Sequence, residues 1–401
     1  VAEGAKAEAV VDAPAMGSGV GIAITLVVKV SKLCNLRCVY CYETPELANT
    51  ARMSIAEVGR LFRNVRDFFE TSDGLDYDKC RAQFIWHGGE PFAQPLEYWR
   101  DVIAEEGRVF GRAFQDASII NTVQTNLTLV TERHLPLLKK HFSVGFSYDV
   151  ANDLRVTAGG RPTGALVTRK VEWARKAGLD LNGIAVVSRA NAAQPEQVAG
   201  YFLSRGIGFR ALNIYQSLDL LPQIREAAIP FDDYLRFCRR LYAIPEVRRN
   251  VREGRLTVDP LTTAHEHLQV HRRLDGRATS VKACVAREWA LGVNTNGDTY
   301  GIGDVYLPPY RYGNLFREPM QDLLDSEGRA RRMARSRERL ARVCDACFLY
   351  RKPCPGTYVS HATPESFRDY ERAGGCEVAL LAQTMKDDVA SDASACRLAA
   401  C

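Results

Sequence analysis

The stretch ITLVVKVSKLCNLRCVYCYE, residues 24–43, joins an apolar, β-branched run to a loop carrying three cysteines. Cys34 and Cys38 are separated by three residues, Cys38 and Cys41 by two. Three crowded thiols cannot all pair as disulfides. A structural zinc site wants a fourth ligand close by. Three thiolates without a fourth can also hold an iron–sulfur cluster and leave one iron open. The loop by itself leaves both readings standing.

Outward from this loop, apolar runs alternate with helical patterns. Strands are expected at 24–31, 82–88, 117–125, 142–149, 181–188 and 209–216. Between the first two, SIAEVGRLFRNVRDFFE places Ile55, Val58, Leu61, Phe62, Val65, Phe68 and Phe69 on one helical stripe. Repeated strand–helix units imply a parallel sheet covered by helices. The fold class is therefore α/β. Six units are too few for a closed eight-stranded barrel, so a partial (β/α)6 TIM-type barrel is expected. Ligands of such sheets bind at the carboxyl ends of the strands, where the three-cysteine loop falls.

The pattern changes after about residue 225. WALGVNTNGDTYGI reads as short strands around a turn at Asn296-Gly297, and Cys344, Cys347, Cys354 and Cys376 follow in loop-like sequence. The expected organisation is a tail over 1–23, the barrel over 24–225 and a helical connector over 226–254. A smaller iron–sulfur-stapled domain over 255–390 and a tail over 391–401 complete it.

The 401 residues are 46% hydrophobic, enough for a large core. No apolar run approaches the ~18 residues of a membrane span. The Ala- and Gly-rich start reads as a flexible tail and not as a secretory signal. A reducing, cytoplasmic location is the expectation, and twelve cysteines there point to metal or redox chemistry. The net charge of +5 is modest. RARRMARSRERLAR, residues 329–342, carries seven arginines. It reads as a solvated helix face, with contact to nucleic acid or an acidic peptide as the other reading.

The C-x3-C-x2-C loop resembles the cluster loop of radical S-adenosylmethionine (SAM) enzymes. Tyr40 is the aromatic residue that family usually carries before the third cysteine. HGGEP, residues 87–91, resembles its glycine-rich SAM motif at the end of the second strand. There Gly88 and Gly89 would let backbone approach the methionine end of SAM, and Glu90 would fix the motif or accept from the amino group. The resemblance implies that Cys34, Cys38 and Cys41 hold a [4Fe–4S] cluster whose fourth iron is chelated by SAM. One electron then cleaves SAM to a 5′-deoxyadenosyl radical that abstracts a substrate hydrogen. His87 reads as a packed strand-end residue.

VGFSYDVANDLRVTAGGRPTGA resembles a segment of the peptide and sulfatase maturases in that family. Ser147 and Arg155 fall where the group contacts the polar end of SAM. Asp149 is a candidate acid or base, sharing one side of the strand with Ser147. Val150 stands where the family usually has Gly. The C-terminal cysteines resemble the SPASM auxiliary-cluster domain. Cys284 and Gly297 fit its first positions, but Ile302 and Tyr358 stand where cysteines are usual. Cys344, Cys347, Cys354 and Cys376 are left to hold one auxiliary [4Fe–4S] cluster, giving two clusters and about eight irons per chain. Cys80 and Cys238 read as plain thiols, and Cys396 and Cys401 as an unliganded tail.

The resemblance implies a maturase acting on a ribosomally made precursor peptide, forming a C–C or C–S cross-link or an oxidised residue. Formylglycine formation on a sulfatase and small-molecule dehydrogenation are the alternatives. A metal-stapled module binding nucleic acid or protein is the non-enzymatic one. The expected partners are a reductant such as flavodoxin or ferredoxin and a separate leader-binding protein, with no membrane contact.

Overall fold

The computed structural model describes residues 20–390, apart from 48, 117, 215–221, 275–288 and 304–306. The expectations attached to Cys284, Cys396 and Cys401 lie outside the described residues.

One ten-stranded sheet organises the chain. Its strands are β1 (Ala23–Ser31), β2 (Arg81–Gly88), β3 (Ile119–Thr125), β4 (Ser143–Ser147), β5 (Leu181–Val187), β6 (Phe209–Asn213), β7 (Val258–Asp259), β8 (Ala290–Val293), β9 (Asp298–Gly301) and β10 (Arg311–Asn314). Their spatial order is β10-β9-β8-β1-β2-β3-β4-β5-β6-β7. The pairs from β1 through β7 are all parallel, as the strand–helix alternation requires. The fold is thus a mixed α/β one on a parallel core. The sheet also runs across the boundary expected near residue 255. Thr25 to Val28 of β1 pair in parallel with Ala290 to Val293 of β8, and β9 and β10 add antiparallel. The turn between β8 and β9 is the expected one, with Gly297 at φ +87°.

The helix Ile55–Thr71 shows how the sequence builds a unit. Ser54 and Glu57 form a reciprocal capping box at its start. Val58, Leu61, Phe62, Val65, Phe68 and Phe69 are buried along one face. Phe62 lies edge-on to Phe84 and Trp86, with centroids 4.9 and 6.0 Å apart. Each such buried side chain contributes about 1.5–3 kcal/mol. Alternation along the strands then fixes the other face. Phe84 and Trp86 of β2 point to the helices, so Gln83, Ile85 and His87 point inward.

The arginine-rich stretch is a solvated face only in part: Arg331, Arg337 and Arg342 are exposed. It forms the helix Glu327–Val343, in which Arg332 and Arg339 are buried. Arg339 donates to the carbonyl of Ala362 at 2.5 Å. Arg332 bonds Ser336 and the Ile302 carbonyl. Arg335 lies 3.8 Å from the ring centroid of Tyr310. These residues brace the C-terminal region from within.

Candidate active site

β1 delivers the cysteine loop to the carboxyl edge of the sheet, and three separate networks hold it there. The first fastens its start. Glu90 N–H donates to the Leu33 carbonyl at 2.7 Å, and Gly89 N–H to the Ser31 carbonyl at 2.9 Å. A Cβ on Gly88 would overlap the Ser31 carbonyl, and one on Gly89 the carbonyls of Lys32 and Leu33. The two glycines are therefore required by the packing of HGGEP on the end of β1, a closer reason than access for SAM. The Glu90 carboxylate accepts from Thr125 Oγ1 at 2.6 Å, Asn126 N at 2.7 Å and Phe92 N at 3.1 Å. It fixes the motif, with both oxygens engaged.

The second network runs along the middle of the loop. Arg37 N–H donates to the Val156 carbonyl at 2.7 Å and Val39 N–H to that of Leu154 at 2.9 Å. The cysteine loop is thus laced antiparallel onto the segment after β4. Arg155 Nη1 donates to the Tyr40 hydroxyl at 2.9 Å, and that hydroxyl donates to Asp149 Oδ2. Asp149 Oδ1 accepts from Val186 N at 3.1 Å. Ser147 instead accepts from Gln124 of β3 at 2.8 Å. Strand β4 ends at Ser147, and Ser147 and Asp149 do not work as one pair: they bond in opposite directions across the sheet.

The third network fastens the loop's exit. Glu43 takes Lys29 on one oxygen and Lys32 on the other, at 3.3 Å for Lys32. All three are buried. Burial alone would raise Glu43, but the two ammonium groups hold it below the usual carboxylate range. His87 is pushed down to about 4, by burial and then by Lys29, so it is neutral at pH 7. Its Nδ1 accepts from Gly88 N–H at 2.8 Å, the packed role its position suggested.

These networks bear on the choice between zinc and cluster. Cys34, Cys38 and Cys41 are half-buried beside one another. Burial pushes the Cys34 thiol up to about 11 and, with Cys38 next in effect, Cys41 up to about 12. Thiols in this position need a cation to become thiolates. Glu43, Glu90 and Asp149 could each have been a fourth ligand, yet both oxygens of each are already bonded. Three thiols without a spare carboxylate suit a cluster with one iron left for another ligand. Among the described residues no such set is already drawn into a closed metal sphere, so the fit lies in the donor chemistry.

Cys344, Cys354 and Cys376 are buried in one apolar core, and Cys347 packs against it. Cys344 feels Cys354 and Cys347, and Cys376 feels Cys354 and Cys344. Burial, followed by these neighbours, pushes Cys344 up to about 12. Tyr358 does not join them as a ligand. Its hydroxyl accepts from Arg210 of β6 at 3.1 Å. Cys80 and Cys238 are buried singly in the core.

Sequence reasoning missed the end of β3. Asn126 Nδ2 lies 4.0 Å from Cys34 Sγ and donates to Asn35 Oδ1 at 2.9 Å, while Asn35 donates to Thr128 Oγ1 at 2.7 Å. The polar run QTNLT at a strand's carboxyl end was the available sign. Asn191 was missed too. It donates to the carbonyls of Asp149 at 2.6 Å and Val150 at 3.3 Å. It thereby holds a strained turn, since Val150 and Ala151 sit at φ +38° and +59°. That left-handed turn accounts for the glycine usual in the family at this point.

An open α/β sheet thus carries a three-thiol loop at its carboxyl edge. Residues 28–201 match the Radical SAM superfamily, so the chain is an enzyme with a radical SAM domain, the kind that uses SAM and a [4Fe–4S] cluster. It is 23% identical over 334 residues to a serine-type anaerobic sulfatase-maturating enzyme of Klebsiella aerogenes, covering 82% of this chain and 77% of that one. It is also 23% identical to a cysteine-type anaerobic sulfatase-maturating enzyme of Clostridium perfringens, covering 83% and 88%. Among solved structures, native anSMEcpe with bound AdoMet and Cp18Cys peptide superposes with a TM-score of 0.69 at 21% identity, covering 92% of this chain and 99% of that one. Streptococcus suis SuiB bound to SAM gives 0.50 at 18% identity, covering 77% and 68%. These structural likenesses establish the fold. No helix among the described residues is long and apolar enough to cross a membrane.

Proposed function

We propose that the chain modifies a ribosomally made peptide, forming a cross-link or an oxidised residue. The observation that carries this is the three-thiol loop whose neighbouring carboxylates are all spent. The group held there would supply a 5′-deoxyadenosyl radical by one-electron cleavage of SAM. Everything else falls to the chain. Cys34, Cys38 and Cys41 are its ligands, Gly88 and Gly89 seat the motif, and Ser147, Tyr40 and Arg155 line the SAM side. Inward positions Gln83, Ile85, Thr122, Gln124, Ile184 and Val186 are half-buried and uncharged. Gln83 bonds Thr122 at 3.2 Å. Lys29 and Arg210, in register with inward His87 and Ile184, add charge to this lining, which accommodates a peptide segment and excludes bulk water from a reactive radical. A related fold, SuiB, has been seen bound to its precursor peptide SuiA.

In this reading the C-terminal region is an auxiliary-cluster domain. Cys344, Cys347, Cys354 and Cys376 hold one auxiliary [4Fe–4S] cluster, a group suited to taking up the surplus electron. Asp149, doubly bonded and buried, serves structure in place of acid–base work. The sulfatase-maturating relatives favour a second reading, formylglycine formation. Anaerobic turnover with SAM, a low-potential reductant and a candidate peptide decides between them. A carbonyl-reactive probe captures formylglycine, whereas a cross-linked peptide is not captured and resists sequencing at the bridged residues. Absence of 5′-deoxyadenosine in every reaction would refute both.

A further inference from the structure

One guanidinium on the inner face of the sheet has no carboxylate bonded to it. Phe209 and Ala211 of β6 are buried toward the helices, so Arg210 between them points inward. Its register partners are Ile184 of β5 and Asp259 of β7, and Ile184 pairs in turn with Ser147 of β4. Ser147, Ile184 and Arg210 thus form one row across three strands. At ~4.8 Å between neighbouring strands, the row is about 10 Å long. Arg210 is exposed. Enclosure by the protein desolvates its guanidinium, Tyr358 and then Asp259 more than offset this, and it stays charged. Tyr358 reaches it from the C-terminal region. Arg210 Nη2 donates to the Tyr358 hydroxyl at 3.1 Å, and the ring centroid lies 5.8 Å from the guanidinium carbon. A cysteine would be usual at position 358 by resemblance, and here a hydroxyl holds Arg210 instead. Asp259 does not take up the charge by contact. Its Oδ1 accepts from Thr263 N at 3.2 Å and from Thr263 Oγ1 at 2.8 Å, and among the described residues no ion pair reaches Arg210. The rest of the guanidinium fork therefore has no acceptor among the described residues.

We propose that Arg210 determines specificity by binding a carboxylate of the substrate peptide, with Tyr358 as the positioning residue that aims it. The proposal rests on the peptide-modifying reading, and on Ser147 facing SAM, and it names the substrate feature that site selects. A carboxylate accepts on both oxygens and pairs with the charge of a guanidinium. Within a partly desolvated sheet interior such a pair is stronger than on an open surface. Lys29, the inward cation beside His87, cannot do the same, because Glu43 already takes it. The row also sets a distance. An extended peptide rises ~3.3 Å per residue, so a carboxylate about 10 Å from the SAM side belongs to a residue within about three positions of the modified one.

The test uses the full chain, reconstituted anaerobically with iron and sulfide and supplied with SAM. The probes are two synthetic libraries of randomised short peptides, one ending in a free carboxylate and one in an amide. The parent should select carboxylate-bearing peptides, and R210E should reverse the choice toward Lys and Arg. Enrichment of Asp or Glu in the amidated library assigns a side chain, and a preference confined to the free-ended library assigns the terminus. The most enriched peptide is then compared with its amide counterpart, carboxylate against carboxamide at the selected position. R210Q should weaken the acidic peptide about tenfold or more, the scale of one charge-assisted hydrogen bond, and leave the amide peptide unchanged. Y358F should lower the preference for the acidic peptide by less, and R210K should restore part of what R210Q loses. Equal losses for acidic and amide peptides in R210Q would overturn the proposal, as would unchanged selection by R210E. Failure of R210K, R210Q and R210E alike to fold and take up iron would overturn it too, by making Arg210 a brace between β6 and Tyr358. A parent that cleaves SAM yet selects no peptide from either library would overturn the peptide-modifying reading, and the proposal with it.

Discussion

The two thiol sites are built on different principles. The N-terminal loop has three cysteines and is held from outside, by Glu90 at its start, by the 154–157 segment in its middle and by Glu43 at its exit. The C-terminal set has four, which lie in or against the apolar core. A site that must leave one coordination position open cannot rely on its ligands to close it, so the surrounding protein has to fix the geometry. The comparison teaches that polar scaffolding sets the N-terminal loop and apolar burial the C-terminal cysteines.

Breaking one site at a time gives the largest effects. Replacing Cys34, Cys38 or Cys41 by Ala should abolish 5′-deoxyadenosine formation. Cys347→Ala should remove about half of the roughly eight irons expected for two clusters and leave SAM cleavage in place. If Cys347→Ala also stops cleavage, the two sites are not separable.

Glycines near each site sharpen the difference. Gly89→Val would drive a branched side chain into the Lys32 and Leu33 carbonyls, so it should cost the N-terminal cluster's iron as well as SAM binding. Gly374, two residues before Cys376, sits at φ +72°, and a Cβ added there would meet nothing within 4 Å. Gly374→Ala should cost only the ~1–2 kcal/mol of left-handed backbone and spare the iron. Iron assays on both variants, with thermal unfolding of the second, check the contrast.

Much of this was legible. All six early strands stand within a few residues of their expected places, because each buries apolar residues on the face that the helices cover. The cysteine loop was legible from spacing. What was not legible depends on contacts between distant segments. Asn126 reaches Asn35 and Asn191 reaches Asp149 across loops that no periodicity links. The arginine-rich helix was legible only on its exposed side, for a related reason. Composition reports charge, while the burial of Arg332 and Arg339 is set by carbonyls at Ile302 and Ala362, which lie far off in the chain.

That helix carries a smaller prediction. Arg339→Ala leaves the buried Ala362 carbonyl without this donor and should destabilise the C-terminal region by about 1–3 kcal/mol. Arg337→Ala, on the exposed face, should stay within about 0.5 kcal/mol. Denaturant unfolding of both variants decides it, and equal effects would restore the solvated-face reading.

The smallest effect concerns a carboxylate that breaks the pattern of the N-terminal half. Glu43, Glu90 and Asp149 have both oxygens bonded, but Glu106, fully buried between helix Leu96–Phe110 and the sheet, has one. Its Oε2 accepts from Asn121 at 2.7 Å, and Asn121 accepts from Trp86 at 2.7 Å, while Oε1 has no partner among the described residues. Burial pushes its carboxyl up to about 8, with the Asn121 bond pulling only weakly the other way. The folded state therefore holds this proton more tightly than the unfolded chain, where the value is ~4.3. The stability linked to it is whole below that unfolded value and is lost as pH rises toward 8. Unfolding free energy of the parent should fall between pH 5 and pH 8 by more than that of Glu106→Gln, which carries no titrating proton. The glutamine side chain is isosteric and keeps an acceptor for Asn121, so at low pH the two proteins should match. Parallel pH profiles for parent and variant would show that Glu106 is ionised in the fold and that its free oxygen is solvated.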